Sequence, residues 1–117
     1  MMMTLFQVAL GGAIGSMLRY LTVAAVGAPL GTLAVNVAGS FLMGVLFIAL
    51  TARAGLSPLL MTGILGGFTT FSAFSLDALK LWQAGQTVSA LAYVGASVIL
   101  SLGAVAIGAA LAKGVLA

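Results

Sequence analysis

The sequence predicts an all-α integral membrane protein of four transmembrane helices, the third broken in mid-membrane. Three observations carry that prediction. Of 117 residues, 63% are hydrophobic and 4% are charged, against roughly 25% charged in soluble domains. The charge-free runs 1–18, 20–52, 54–76 and 81–112 each approach or exceed the ~20 apolar residues that cross a bilayer. Inside the third run, Gly66-Gly67-Phe68-Thr69-Thr70-Phe71-Ser72-Ala73-Phe74 sets paired glycines and paired threonines where an unbroken lipid-facing helix would not carry them. Backbone freed at bilayer depth is tolerated only where protein or an aqueous cavity receives it. It is also a recurrent means of binding ions.

The spans fall at about 4–26, 31–52, 58–82 and 87–113, forming a single transmembrane domain over residues 1–117. No Lys or Arg precedes the first apolar stretch, so it reads as a span and not as a cleaved leader. Gly27-Ala28-Pro29, Arg53-Ala54-Gly55-Leu56-Ser57-Pro58 and Gln83-Ala84-Gly85-Gln86 supply the turns between spans. None is long enough to hold a soluble domain, so any chemistry lies within or between helices. The net charge of +3 rests on scattered cations, which argues against a nucleic-acid partner. The chain has no Cys and no His, which excludes thiol chemistry, disulfides and imidazole catalysis. No nucleophile–base pair or metal-ligand cluster is visible, so an enzyme is not expected.

Sixteen glycines need a packing account. Gly11 and Gly15, Gly12 and Ser16, Ser40 and Gly44, and Gly63 and Gly67 stand four apart, so each pair shares a helix face. Small residues at that spacing let membrane helices approach closely. Four short helices have little interior, and part of this pattern is expected to meet a second subunit, most simply in a two-fold dimer. Orientation is balanced. With the N-terminus on one side, Arg53 and Lys113 lie with it, while Arg19 and Lys80 lie towards the other. The positive-inside rule then gives almost no instruction. Either another signal sets topology, or the chain inserts both ways and pairs antiparallel.

Polar groups within the spans are few and patterned. Thr32, Asn36 and Ser40 recur every four residues in the second span, and Ser89, Tyr93, Ser97 and Ser101 do so in the fourth. Such stripes either line a path of hydrogen-bond donors or hold helices together and satisfy nearby carbonyls. Asn36 is the sharper signal, because an amide in hydrocarbon is costly without partners. Phe71 and Phe74 share a face directly after the break. Aromatic ring edges are electropositive, so they can contact a small anion without a fixed charge; the alternative is ordinary packing. Asp77, Lys80 and Trp82 read as an interfacial anchor. Arg19 beside Tyr20 reads either as a similar anchor at the end of the first span or, being the most interior cation, as a charge that attracts or neutralises anions. No carboxylate falls at the middle of a span, which disfavours proton coupling.

These motifs resemble those of the Fluc (CrcB) fluoride channels. The resemblance rests on Gly11-Gly12-Ala13-Ile14-Gly15 leading to Arg19-Tyr20, on Gly31-Thr32-Leu33-Ala34-Val35-Asn36-Val37-Ala38-Gly39-Ser40-Phe41, and on the Gly66–Phe74 segment. They occur in the family's order and cover most of the chain. The resemblance implies passive fluoride export across the bacterial inner membrane by an antiparallel, dual-topology homodimer with two pores and a central structural sodium ion. It implies Phe71 and Phe74 as pore phenylalanines, Asn36 as a donor to the ion or to its neighbours, and Ser72, Tyr93, Ser97 and Ser101 as a polar track. Gly66 and Thr69 would present main-chain carbonyls to Na⁺. Ala73 departs from the family, which often has Thr there, and removes a hydroxyl. A small dual-topology multidrug/proton antiporter and a purely structural membrane subunit are the alternatives.

Overall fold

The structure, a computed structural model, describes residues 1–116. Among them every regular element is helical. Helix α1 spans Met2–Val26 and α2 spans Leu30–Ala49. A 3₁₀ turn, Ala54–Leu56, leads to a π-helical run, Pro58–Leu65, which passes into one α-helical turn, α3 (Gly66–Phe68). Thr69 and Thr70 then take extended backbone, with φ/ψ of −93°/156° and −154°/121°. Helix α4 covers Phe71–Gln83 and α5 covers Thr87–Leu116.

Four stretches are long and apolar enough to cross a membrane: Met2–Val26, Leu30–Ala49, Ala54–Gln83 and Thr87–Leu116. The shortest has 20 residues, about 30 Å at 1.5 Å per residue, which matches a hydrocarbon core. Helix α2 stops at Ala49, short of the expected 52, and α5 runs on past 113 to Leu116. The π-helical run has no counterpart in the sequence expectations. In it the Gly66 N–H reaches back to Met61 O, five residues away, one residue more than in an α-helix. The reversals after α1 and α4 place Gly27 at φ 89° and Gly85 at φ 79°, left-handed conformations open to glycine at little cost.

Backbone-to-backbone approaches at glycines hold the bundle. Helix α1 lies on the first half of the third span. A Cβ on Gly11 would sit 2.5 Å from Leu59 O and 2.8 Å from Gly63 Cα, and one on Gly15 would run into Ile64 O. Helix α2 crosses α5 in the same way: a Cβ on Gly44 would meet Val105 O, and one on Gly108 would meet Phe41 O. Since lipid gives no hydrophobic drive for helix association, close approach and its dispersion contacts must supply it. The small residues at positions 11, 15, 44, 63 and 67 are thus used within the chain, whereas Gly95, Gly103 and Gly114 on α5 have nothing within 4 Å of a built Cβ.

The interior is small and partly polar. Val35 and Leu65 are buried among Phe74, Ala90, Tyr93, Ala104 and Ala112, together with Thr32, Asp77 and Ser97. Large apolar side chains face outward, including Phe6 at 66% exposed and Ile99 at 70%. Contiguous apolar surface of this kind suits a hydrocarbon solvent. It is the outside of a multi-pass membrane protein.

Candidate functional site

A groove of about 470 Å³ opens between α2, the Thr69–Thr70 segment, the start of α4 and the middle of α5. The four-residue periodicity of α2 and α5 brings their polar stripes to it, because side chains four apart stack on one helix face. Asn36 and Ser40 line it from α2, and Ser97 and Ser101 line it from α5. Phe71, Phe74 and Thr69 complete that wall, while Met43, Leu102 and Val105 add apolar lining. Ser97 is 5% exposed, and its Oγ is buried without a hydrogen-bond partner.

The extended threonines are held by side chains. Asn36 Oδ1 accepts from the Thr70 N–H at 2.7 Å, and Asn36 Nδ2 donates to Thr70 O at 3.0 Å. One amide therefore satisfies both main-chain groups of one residue. Thr70 Oγ1 caps α4 by accepting from the Ala73 N–H at 3.1 Å, the usual service of a threonine N-cap. In a continuous α-helix the Thr70 and Ala73 N–H groups would go to Gly66 O and Thr69 O. Redirecting them deprives those two carbonyls of their helical donors. Gly66 is exposed and Thr69 half-buried. Gly67 O receives a different donor, Arg19 Nε at 3.0 Å. The most interior cation is thus engaged with backbone, and Arg19 does not line the groove.

The aromatic pair is brought together but not equivalently placed. Phe71 and Phe74 meet edge-on, with centroids 5.3 Å apart at 64°; Phe71 is 76% exposed and Phe74 only 8%. Phe74 also leans on Tyr93, with centroids 5.4 Å apart. Ser72 and Tyr93 flank the groove without lining it. The Ser72 hydroxyl lies 3.2 Å from Thr70 Oγ1, and Tyr93 OH donates to Asp77 Oδ2 at 3.3 Å. Ala73 contributes its N–H to the cap.

Asp77 corrects the sequence reading. It is not an interfacial anchor with Lys80 and Trp82; it is 8% exposed and accepts from Thr32 Oγ1 at 2.7 Å as well as from Tyr93. Lys80 and Trp82 remain exposed. The physical reason is helical phase. Asp77 follows Phe74 by three residues, so it turns inward with that ring, and Thr32, one turn before Asn36, meets it. That spacing was available in the sequence. The pull of a charged residue near a span end towards an interfacial role hid it.

Four membrane-length helices, with a groove bearing hydroxyls, one amide and two aromatic rings let into their packing, define a small multi-pass membrane protein. The chain belongs to the family described as CrcB-like protein, Camphor Resistance (CrcB), which it matches over residues 6–109. It is 52% identical to the fluoride-specific ion channel FluC of Paracoccus denitrificans (strain Pd 1222), with 97% of this chain and 98% of the relative covered. It is 54% identical to the protein of the same description from Cereibacter sphaeroides (strain ATCC 17029 / ATH 2.4.9), over 97% and 98% of the two chains. With that of Ruegeria sp. (strain TM1040) it shares 50% identity over 99% of each.

Proposed function

We propose that this chain is a fluoride-selective passive channel that lets the ion leave the bacterial cytoplasm through the inner membrane and so protects against fluoride toxicity. It is not an enzyme. The observation that carries the reading is the buried, unpartnered Ser97 hydroxyl in a groove that also offers two aromatic rings and no cation. A hydroxyl is both donor and acceptor, and an uncompensated one is costly unless something fills its valence. Fluoride accepts strong hydrogen bonds. Helix α4 begins at the groove, so its positive end favours an anion there.

Selectivity then follows from replacing water. Fluoride is small and tightly hydrated, so hydroxyls of Ser97 and Ser101 must substitute for its shell while the Phe71 and Phe74 edges narrow the way for larger chloride. Ser72 and Tyr93 extend the polar track at its flank. Asn36 acts through Thr70, holding the backbone from which the phenylalanines project. Contacts that are weak and repeated let the ion move on. Met43, Leu102 and Val105 add apolar wall to the groove. We take the functional unit to be an antiparallel, dual-topology homodimer in the lipid bilayer, consistent with the balanced cations and the open groove. The Thr69–Thr70 interruption then lies in mid-membrane, and two copies of it meet at the centre.

The carbonyls of Gly66 and Thr69 suit a resident Na⁺, a hard cation that takes oxygen ligands, because both have lost their helical donors. Bound there, sodium would supply positive charge that ties the interrupted segments together. A multidrug/proton antiporter finds no support: the carboxylate it would need, Asp77, is engaged by Thr32 and Tyr93 outside the groove. Liposomes loaded with fluoride, carrying the purified protein and a potassium shunt, test the reading with a fluoride electrode. Rapid fluoride release beside retained chloride supports it. Retention of fluoride by vesicles containing folded protein overturns it.

A further inference from the structure

The interruption at Thr69–Thr70 leaves one carbonyl in an unusual position. Gly67 O has lost the Phe71 N–H that a continuous helix would supply, and no main-chain group replaces it. Arg19 Nε does so from α1, at 3.0 Å in a part-buried setting. The two segments are already pressed together here, since a Cβ on Gly67 would stand 2.7 Å from Gly12 O and 3.1 Å from Ser16 N. Arg19 lies one turn beyond Gly15, whose own Cβ would sit 2.8 Å from Phe68 N. The guanidinium is thus the last rung of a ladder that fixes the end of α3 against α1.

We infer that Arg19 is a positioning residue, whose Nε–H sets the direction of the Gly67 peptide and through it the neighbouring Gly66 and Thr69 carbonyls; attraction of the anion by its charge is not its role. The inference rests on the channel reading only for its activity readout. Its physical basis is atomic placement. In Arg the fourth side-chain atom beyond Cα is Cδ's neighbour Nε, a donor. Gln places its amide nitrogen at the same position in the chain of bonds, without charge. Lys puts a methylene there and carries its charge one atom further on. The two substitutions therefore separate donor from charge, a separation that Arg and Lys side chains do not ordinarily permit.

The test compares Arg19→Gln and Arg19→Lys in reconstituted liposomes with the wild-type protein alongside. Arg19→Gln is expected to keep fluoride efflux within about threefold of wild type, and Arg19→Lys to lose it by on the order of tenfold or more, the population factor of one hydrogen bond to a charged donor. Efflux retained by Lys and lost by Gln overturns the inference in favour of charge. Efflux retained by both, or lost by both in correctly folded protein, also overturns it. A second measurement does not depend on transport. Gly67-Phe68 is the sole Gly-Phe pair in the sequence, so carbonyl-¹³C glycine with ¹⁵N phenylalanine isolates the Gly67 carbonyl by NMR. Its resonance should move in Arg19→Lys and stay in Arg19→Gln. An unmoved resonance in both overturns the inference even if neither variant yields active vesicles. A silent wild type would instead sink the channel reading and leave the carbonyl test standing.

Discussion

Replacing Asn36 by alanine removes the clasp on the extended segment, and its cost can be worked from the geometry. Two hydrogen bonds disappear, from the Thr70 N–H at 2.7 Å and to Thr70 O at 3.0 Å. In a soluble core each stranded group would cost about 1–3 kcal/mol. Interhelical bonds in membranes average nearer about 0.6 kcal/mol, because the alternative state also finds partners. Thr70 is half-buried and borders the groove, where water can partly replace the amide, so we take about 1 kcal/mol per group and about 2 kcal/mol for the pair. That lowers the population of the interrupted backbone roughly thirtyfold against arrangements in which Thr70 N–H returns to Gly66 O. Fluoride efflux from Asn36→Ala vesicles should therefore fall at least about tenfold, and unfolding in mixed detergent should shift to lower denaturant. Asn36→Asp keeps the acceptor for Thr70 N–H but sets a carboxylate oxygen against Thr70 O, and should be no better. Wild-type efflux and wild-type stability in Asn36→Ala would refute the clasp. Lost efflux with unchanged stability would assign the amide to the ion alone.

Ser97→Ala removes a buried hydroxyl that has no partner; stability should hold or rise by up to about 1 kcal/mol, while electrode-measured fluoride efflux falls, and a stability loss would show the hydroxyl to be structural. Phe71→Ile and Phe74→Ile should each sharply reduce fluoride flux in folded protein. Because Phe74 is buried and Phe71 is not, only Phe74→Ile should also lower the unfolding midpoint; wild-type flux from both would end the aromatic role. Gly44→Ala drives a Cβ into Val105 O and should cost about 1–3 kcal/mol of stability in detergent, whereas Gly12→Ala, with open space around its Cβ, should change it by less than about 0.5 kcal/mol. Equal effects of the two would refute the α2–α5 crossing.

The number of membrane-length helices was legible because it depends on composition alone: charge-free runs of membrane length have one favourable environment. The stripes were legible too, since a helix converts a four-residue spacing into a shared face without help from neighbours. Ser97, Ser101, Asn36, Phe71 and Phe74 accordingly meet at one groove. What each polar group bonds was decided by tertiary structure. Within one stripe, Thr32 turned to Asp77 and Asn36 to Thr70, and Tyr93 left its register neighbours for the same carboxylate. Asp77 read as an interfacial anchor and Arg19 as a similar anchor or a cation suited to attracting anions, because a lone sequence prices charge against lipid. Packing supplied a hydroxyl pair to one and a peptide carbonyl to the other. Local spacing fixes which face a side chain occupies; only the approach of another segment, here set by glycines that let backbones touch, determines what that face finds.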